Sequence, residues 1–543
     1  MVNRSLGKDF GFYKSHEIQK EGLLEFAVFS DIHIVSDSME DELSVKWNKA
    51  IECVKNDFKN SSGIMVCGDF AEAGEEYQFK TYFDILDKHD KDLEILTAIG
   101  NHQVRWKDTW NEPYSLYMKY NKKYMGETEG KIYFDKWIKG YHFIFLNTEW
   151  HIKDRAYISE EQLNWLDKTM GEKEEEGKPV FLFLHQALRD TYWNSNEWDV
   201  GVQDFALKEV LRKHPNCIMF TGHIHNGLGK LDVLKTEYGI MVDVPGFRSN
   251  DYGDSRGEIG YHVSVNEGNV QISLYDYREH KWIKDYNYVV DLDAKFYEKV
   301  KILDIDFNNG SLKDKSSYNN KLINIEEEFV PGVYEGQALR IKDFKSLINK
   351  GIFDEENLII SPQNSEFTML FWSKINCEEW HQIAVSKNNE SKLKFHMDGE
   401  LIHKEKKNKN DISLNKAFIN GILKSTKLKE NEIKELLIDG LKVYKKALGS
   451  AELETAYNPF RIKVESNKII ISWNEFIDKE IEPAYIVLNG EEYCKIDLNE
   501  NSKEIPGLEP NKEYTVIIVD REKNNHRNFR NAYSFVIKTK NLI

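Results

Sequence analysis

Residues 20–290 alternate short apolar runs with amphipathic segments. FAVFS (26–30), GIMVCG (63–68), LEILTAIG (93–100), VFLFL (180–184) and NCIMFTG (216–222) have the length and continuity of strands buried on both faces. Between them, ELSVKWNKAIECVKNDF (42–58) places Val45, Trp47, Ala50, Ile51, Val54 and Phe58 on one helical stripe, and YQFKTYFDILDKHD (77–90) repeats that spacing. ISEEQLNWLDKTM (158–170) opens with Ser159 and Gln162 at capping-box spacing. KIYFDKWIKGYHFIFLNTE (131–149) predicts a β-hairpin turning at Lys139–Gly140. From 229 to 276 the helical period disappears, and LDVLKT, GIMVDV, GYHVSV and NVQISLYDY read as short strands. The pattern predicts an α/β domain over 20–290.

After residue 298 the texture becomes all-β. VKILDIDFNNG, EFTMLFWSKIN, WHQIAVSKN, SKLKFHMDGELI and ELLIDGLKVYKKAL are strand-like with polar turns, which suggests a sandwich over 298–458. Residues 460–543 read the same way, from NKIIISWNEF through PAYIVLNG to IPGLEPNKEYTVIIVD. KEKKNKNDIS (404–413) is expected to be a solvated loop, and Asn458–Pro459 a helix stop at the boundary between the two. The expected architecture is multidomain, with an α/β domain followed by two β-sandwiches.

Composition narrows the function. A chain of 543 residues with 41% hydrophobic and 13% aromatic residues has ample material for several packed cores. A net charge of −17 argues against nucleic-acid backbone or an anionic membrane surface as the main partner, and requires local cations to attract an anionic substrate. The five cysteines (Cys53, Cys67, Cys217, Cys377, Cys494) form no CxxC pair, so no disulfide framework is expected. No run approaches the roughly 20 apolar residues of a membrane span, and the first 22 residues lack a signal-peptide core.

Polar residues of one chemical kind follow each apolar run. Asp31 and His33 come after the first, Asp69 after the second, Asn101 and His102 after the third, His185 after the fourth, and His223 and His225 after the fifth. Carboxylate, amide oxygen and imidazole gathered at strand ends are the donor set of a two-metal hydrolytic site. Each residue alone is better read as a turn residue or a buried structural histidine; their joint occurrence overturns that reading.

The words DIH, GDF, GNHQ, LHQ and GHIH, in that order over residues 22–276, resemble the calcineurin-like metallophosphoesterase superfamily. The resemblance implies a sandwich of two central β-sheets flanked by helices. It also implies hydrolysis of a phosphate ester, mono- or diester, by a hydroxide activated between two divalent ions of manganese, iron or zinc. Carried over position by position, one ion falls to Asp31, His33 and His225, the other to Asn101, His185 and His223, with Asp69 shared and His102 acting on the phosphoryl or leaving group. Two positions depart from the family pattern. Gln103 stands where an acidic residue usually follows the histidine, and an amide there is expected only to orient His102. Glu72 stands where purple acid phosphatases carry a tyrosine ligand.

Arg105, Trp106, Arg189, Trp193 and Arg248 lie in loops after these strand ends and are candidate substrate contacts, with loop packing or ion pairing as the competing reading. Residues 298–458 resemble laminin-G-like, concanavalin A-like lectin sandwiches through WHQIAVSKNNESKLKFHMDGELI and its neighbours, and Asp398–Gly399 is good two-residue turn chemistry. Residues 460–543 resemble a fibronectin type III module through Trp473 and LEPNKEYTV, in which Tyr514 would tie its loop to the strand. Such modules imply targeting to a glycan or cell-surface polymer. They also imply an extracellular or surface address with the export segment absent from this chain, a cytoplasmic address being the alternative. The competing functional expectation is a non-catalytic binding protein or adhesin with a vestigial metal domain.

Overall fold

The computed structural model describes residues 11–18, 22–89, 93–172, 178–292, 299–334, 336–355, 366–376, 378–389, 392–405, 412–473, 481–496, 501–523 and 529–541. It divides into two compact units, Met1–Glu298 with Val519–Tyr533, and Lys299–Ile518 with Ser534–Ile543. Cys377 and most of the lysine-rich loop, 406–411, lie outside the described residues. Among the described residues no helix is long and apolar enough to cross a membrane.

In the first unit the elements run β1 (Phe12–Lys14), β2 (Leu24–Phe29), α1 (Glu42–Asp57), β3 (Ser61–Val66), α2 (Glu76–Asp87), β4 (Glu94–Thr97) and α3 (Asn111–Met125). They continue through β5 (Phe134–Ile138), β6 (Tyr141–Phe145), α4 (Glu160–Met170), β7 (Val180–Phe183), α5 (Asp204–Leu211) and β8 (Cys217–Thr221). Strands β9 (Val233–Thr236), β10 (Gly239–Asp243), β11 (Ile259–Val265), β12 (Asn269–Asp276) and β13 (Lys281–Asp291) complete it. One sheet has the order β1-β13-β12-β11-β2-β3-β4 and the other β5-β6-β7-β8-β10-β9. The strands that carry the site words are parallel: β2, β3 and β4 in the first sheet, and β7 and β8 in the second. The helix and hairpin expectations of the sequence are met here, with β5 and β6 antiparallel across Lys139–Gly140.

The two sheets face each other through aromatic side chains. Phe26 of β2 meets Phe143, Phe181 and Phe220 edge-on at centroid distances of 5.0, 4.9 and 6.3 Å. Alternate residues of the second sheet, Ile144, Leu182 and Met219, turn outward into a separate apolar cluster with Leu166 of α4 and Leu207 of α5. The continuous apolar runs thus serve two cores at once, one per strand face.

At the start of α4 the capping box is only half realised. Ser159 Oγ accepts from the Gln162 N–H at 3.0 Å, but the Ser159 N–H donates to Glu149 at 2.7 Å. The Gln162 side chain instead clamps Asn147, accepting from its N–H at 3.0 Å and donating to its carbonyl at 2.9 Å. Asn147 in turn accepts from the Ile99 N–H at 2.6 Å and donates to the Ile132 carbonyl at 2.6 Å, fastening the loop after β4 to the second sheet.

The second unit is rich in strands. Phe329–Pro331, Gln337–Ile341, Leu436–Tyr444, Phe367–Ile375, Trp380–Lys387, Leu393–Met397 and Glu400–Lys404 form a sheet, with Lys301–Ile305 also paired to Leu436–Tyr444. The all-β expectation is corrected by three α-helices among the described residues, Phe344–Lys350, Ser450–Thr455 and the longest, Leu414–Lys424, whose Ala417, Phe418, Gly421 and Ile422 are buried. Its glycine hides the helical period, and it is there to let the helix approach the sheet, since a Cβ on Gly421 would lie 2.7 Å from a Val385 methyl. Asp398 and Gly399 form a left-handed two-residue turn with φ of 52° and 84°, as their types predict. Toward the carboxyl end a three-stranded sheet (Phe460–Val464, Lys468–Trp473, Ser502–Pro506) follows, and Ile481–Leu488 pairs antiparallel with Glu491–Lys495. The Glu509 N–H donates to the Tyr514 hydroxyl at 2.8 Å, the tie expected of that tyrosine.

Replacing Asn147 by alanine strands the Ile99 N–H and the Ile132 carbonyl, and is expected to cost about 1–3 kcal/mol for each group left unpaired. Urea unfolding followed by tryptophan fluorescence checks this. In the second unit, burial pushes the Asp439 carboxyl up to about 6, while the Val333 and Gly440 N–H groups pull it down. The folded protein therefore holds this proton more tightly than the unfolded chain, and the stability it contributes is present below pH 4 and lost as pH rises toward 6. Thermal scans across that window are expected to show the trend flattened in Asp439→Asn.

Candidate metal centre and active site

Beyond β2 and β3 the chain continues to pair as loop on loop. The Asp31 N–H donates to the Gly68 carbonyl at 3.2 Å, His33 to Asp69 at 2.9 Å and Ile34 to Phe70 at 2.9 Å. Asp31, His33, Asp69, His223 and His225 all adopt left-handed backbone conformations, with φ of 54°, 54°, 47°, 70° and 56°. For residues with a Cβ this costs about 1–2 kcal/mol each, a concentration of strain typical of functional sites. Two glycines leave the space the site needs. A Cβ on Gly100 would fall 2.1 Å from Asp69 Oδ1, and one on Gly222 would fall 1.8 Å from Ser30 Oγ and 2.6 Å from Asp31 Oδ2.

The sequence-predicted residues Asp31, His33, Asp69, Asn101, His102, His185, His223 and His225 meet in one cluster. Asp31 Oδ1 lies 3.0 Å from His225 Nε2 and 3.7 Å from His33 Nε2, and the two imidazole nitrogens are 3.4 Å apart. On the other side, His185 Nε2 lies 3.0 Å from both Asp69 Oδ2 and Asn101 Oδ1. Asp69 Oδ2 is also 4.0 Å from His33 Nε2 and 3.9 Å from His102 Nε2, so it stands between the two groups. Asp31–His33–His225 and Asp69–His185–His223 are each close enough to hold one ion. Donors about 2.1 Å from a shared ion stand about 3.0–3.4 Å apart, near the observed spacings. His223 Nε2 is buried without a hydrogen-bond partner among the described residues, a lone pair suited to an electron-pair acceptor.

The ring nitrogens that face away from the cluster are anchored. His185 Nδ1 lies 2.7 Å from the Cys67 carbonyl, His102 Nδ1 lies 2.6 Å from the Glu72 carbonyl, and His33 Nδ1 lies 3.0 Å from the Glu72 carboxylate. These contacts point Nε2 inward in each case. Burial opposes charge throughout. It raises Asp31 and Asp69, but the imidazoles of His225 and His185 respectively lead the opposing effects and hold both carboxyls well below their usual range. Burial also lowers His33, yet the neighbouring carboxylates of Asp31, Glu72 and Asp69 bring it up to about 10. His223 is held well below the ordinary histidine value by burial and by the charge of His185.

One expectation from the sequence is corrected. Gln103 does not touch His102: its Oε1 accepts from the Gly100 N–H at 2.9 Å and its Nε2 donates to the Ala71 carbonyl at 2.6 Å, stapling two site loops together. Arg189 is buried with its Nε 3.0 Å from Asp199, the ion-pairing reading of that residue. Arg248 pairs with Glu72 at 2.6 Å, the competing reading of that residue. Arg105 binds Asp154 at 3.1 Å and lies over the Trp106 ring, whose indole is 51% exposed and edge-on to His102 at 4.9 Å. Trp193 is partly exposed against Tyr252 at 4.7 Å, with Lys230 over its face at 4.3 Å. Glu72, singled out in the sequence only as standing where purple acid phosphatases carry a tyrosine ligand, has a role the sequence did not indicate: its carboxylate faces His33 while its carbonyl orients His102.

Residues 24–227 match the model of the calcineurin-like phosphoesterase family. Over these residues the chain is similar to calcineurin-like phosphoesterases. The chain is similar to purple acid phosphatase PPD1 from yellow lupin (Lupinus luteus) seeds, at 14% identity and a TM-score of 0.39, over 50% of this chain and 54% of that one. It is similar to the sulfate thiohydrolase SoxB of Thermus thermophilus at 10% identity and a TM-score of 0.29, over 50% and 60%. The binding domain of Paraclostridial mosquitocidal protein 1 matches at 11% identity and a TM-score of 0.22, over 40% and 77%. The chain spans about half the length of the lupin phosphatase, and scores this low carry no assignment of their own. No curated protein matches the chain.

Gln103→Glu would set a carboxylate against the Ala71 carbonyl in place of an amide donor. The expected result is a loss of about 1–3 kcal/mol of stability at neutral pH, read from thermal unfolding, with recovery as the carboxyl is protonated in acid.

Proposed function

We propose that the first unit hydrolyses a phosphate ester with two divalent cations, one held by Asp31, His33 and His225, the other by Asn101, His185 and His223, with Asp69 shared. The observation that carries this reading is the position of Asp69 Oδ2, 3.0 Å from His185 and 4.0 Å from His33. Bound there, the cations would neutralise the phosphoryl group and lower the pKa of the attacking water. The oxygen and imidazole donors suit manganese, iron or zinc.

The chain's own residues supply the rest. His102 turns Nε2 toward the space beside Asp69, where it can bond a phosphoryl oxygen, or as imidazolium give a proton to the departing alcohol. Its Nδ1 contact with the Glu72 carbonyl sets the ring plane, and Glu72 sets His33 in the same way. Trp106, exposed next to His102, is the surface a leaving group would meet, with Arg105 stacked behind it. We also assign the strand-rich remainder to lectin-like and fibronectin-like modules that bring the enzyme to a glycan or surface polymer. An extracellular setting suits that role.

Full-length protein reconstituted with manganese is expected to hydrolyse 4-nitrophenyl phosphate or bis(4-nitrophenyl) phosphate, and to stop on chelation. Asp69→Asn should lower kcat/KM at least about a hundredfold, more than is usual for a residue one step removed from a metal. Silence with manganese, iron and zinc on both esters would overturn the reading. Glu72→Gln is expected to weaken metal affinity about 10–100-fold, measured by calorimetric titration.

A further inference from the structure

A second constellation of metal-ligating side chains lies in the first unit and shares no residue with the cluster above. Cys53 and Asp57 sit one turn apart at the end of α1, and His280 sits in the turn between β12 and β13. Cys53 Sγ is 3.1 Å from Asp57 Oδ2 and 3.4 Å from His280 Nδ1, and those two atoms are 2.8 Å apart. The Tyr275 hydroxyl donates to the same Asp57 oxygen at 2.8 Å. Three different donors, from two elements distant in sequence, therefore converge within one coordination radius.

We propose that Cys53, Asp57 and His280 form a mononuclear site for a borderline-soft divalent cation such as zinc. Ligands at about 2.0–2.3 Å from a tetrahedral ion stand about 3.3–3.6 Å apart, so the triad needs to open by only a few tenths of an ångström. A thiolate in the set favours zinc over the hard cations, and one turn of helix between Cys53 and Asp57 puts both on the same face. Tyr275 bonds the same carboxylate oxygen and fixes its position. The imidazole of His280 is 58% exposed, so the fourth position opens to solvent, where water completes the tetrahedron. On binding, the thiol S–H bond breaks, its proton goes to solvent, and the sulfur–metal bond forms, with no change in oxidation state. The ion would fasten the end of α1 to the β12–β13 turn. This site does not depend on the phosphoesterase reading.

Cobalt(II) tests it, because a thiolate–cobalt bond gives a near-ultraviolet charge-transfer band that oxygen and imidazole ligands do not. The metal-stripped full chain titrated with cobalt should develop that band, and Asp69→Asn should develop it equally. Cys53→Ser should abolish the band, and His280→Ala should shift its midpoint at least about tenfold to higher cobalt. Cys53 is buried, so His280→Ala on the exposed turn decides the matter if the serine variant does not fold. No band at saturating cobalt, or a band indifferent to both substitutions, would mean a hydrogen-bond cluster only and overturn the proposal.

Discussion

Burying the carboxylates of Asp31 and Asp69 is the constraint around which the first unit is arranged. Both are essentially inaccessible to solvent, and an ionised carboxylate out of water costs several kcal/mol unless it is compensated. The compensation comes from far along the chain. Asp31 receives the backbone N–H of His223 at 3.1 Å and the His225 ring at 3.0 Å. Asp69 receives the N–H of His102 at 2.9 Å and the His185 ring at 3.0 Å. Neither carboxylate is tolerable until the loops after β4, β7 and β8 have arrived, so the site and the closure of the domain form together.

The framework that brings those loops together is the facing of two sheets. Phe26 and its aromatic neighbours fill the interior between them. Asn147 and Gln162 then fix the height at which the loops leave it, through bonds to Ile99, Ile132 and each other. Fully satisfied buried amides of this kind specify one arrangement where apolar contacts alone would allow sliding. The lateral position of Asn101 next to His185 follows from this second layer as much as from the strands.

Much of this was legible in the amino-acid order, and the reason is local. Each buried strand announces itself by an apolar run, and the polar word after it marks a strand end, so the eight clustered residues could be named without coordinates. What could not be read was pairing across space. Arg189 looks like any arginine after a site loop until Asp199, ten residues on, is seen folded back against it. Gln103 looks like an orienting amide until its two bonds are seen to run to Gly100 and Ala71. Glu72 carries its meaning in a backbone carbonyl as well as a carboxylate, and sequence says nothing about carbonyl direction. The helix Leu414–Lys424 escaped because a glycine needed for close packing interrupts the apolar stripe by which helices are recognised.

The left-handed backbone at Asp31, His33, Asp69, His223 and His225 has a consequence for anyone moving this chemistry elsewhere. Side chains of the right type set on ordinary extended loops would fan outward and share nothing. A transplanted site must inherit five unfavourable torsions along with the residues. The recipient scaffold then needs enough stability in reserve to hold those kinks shut.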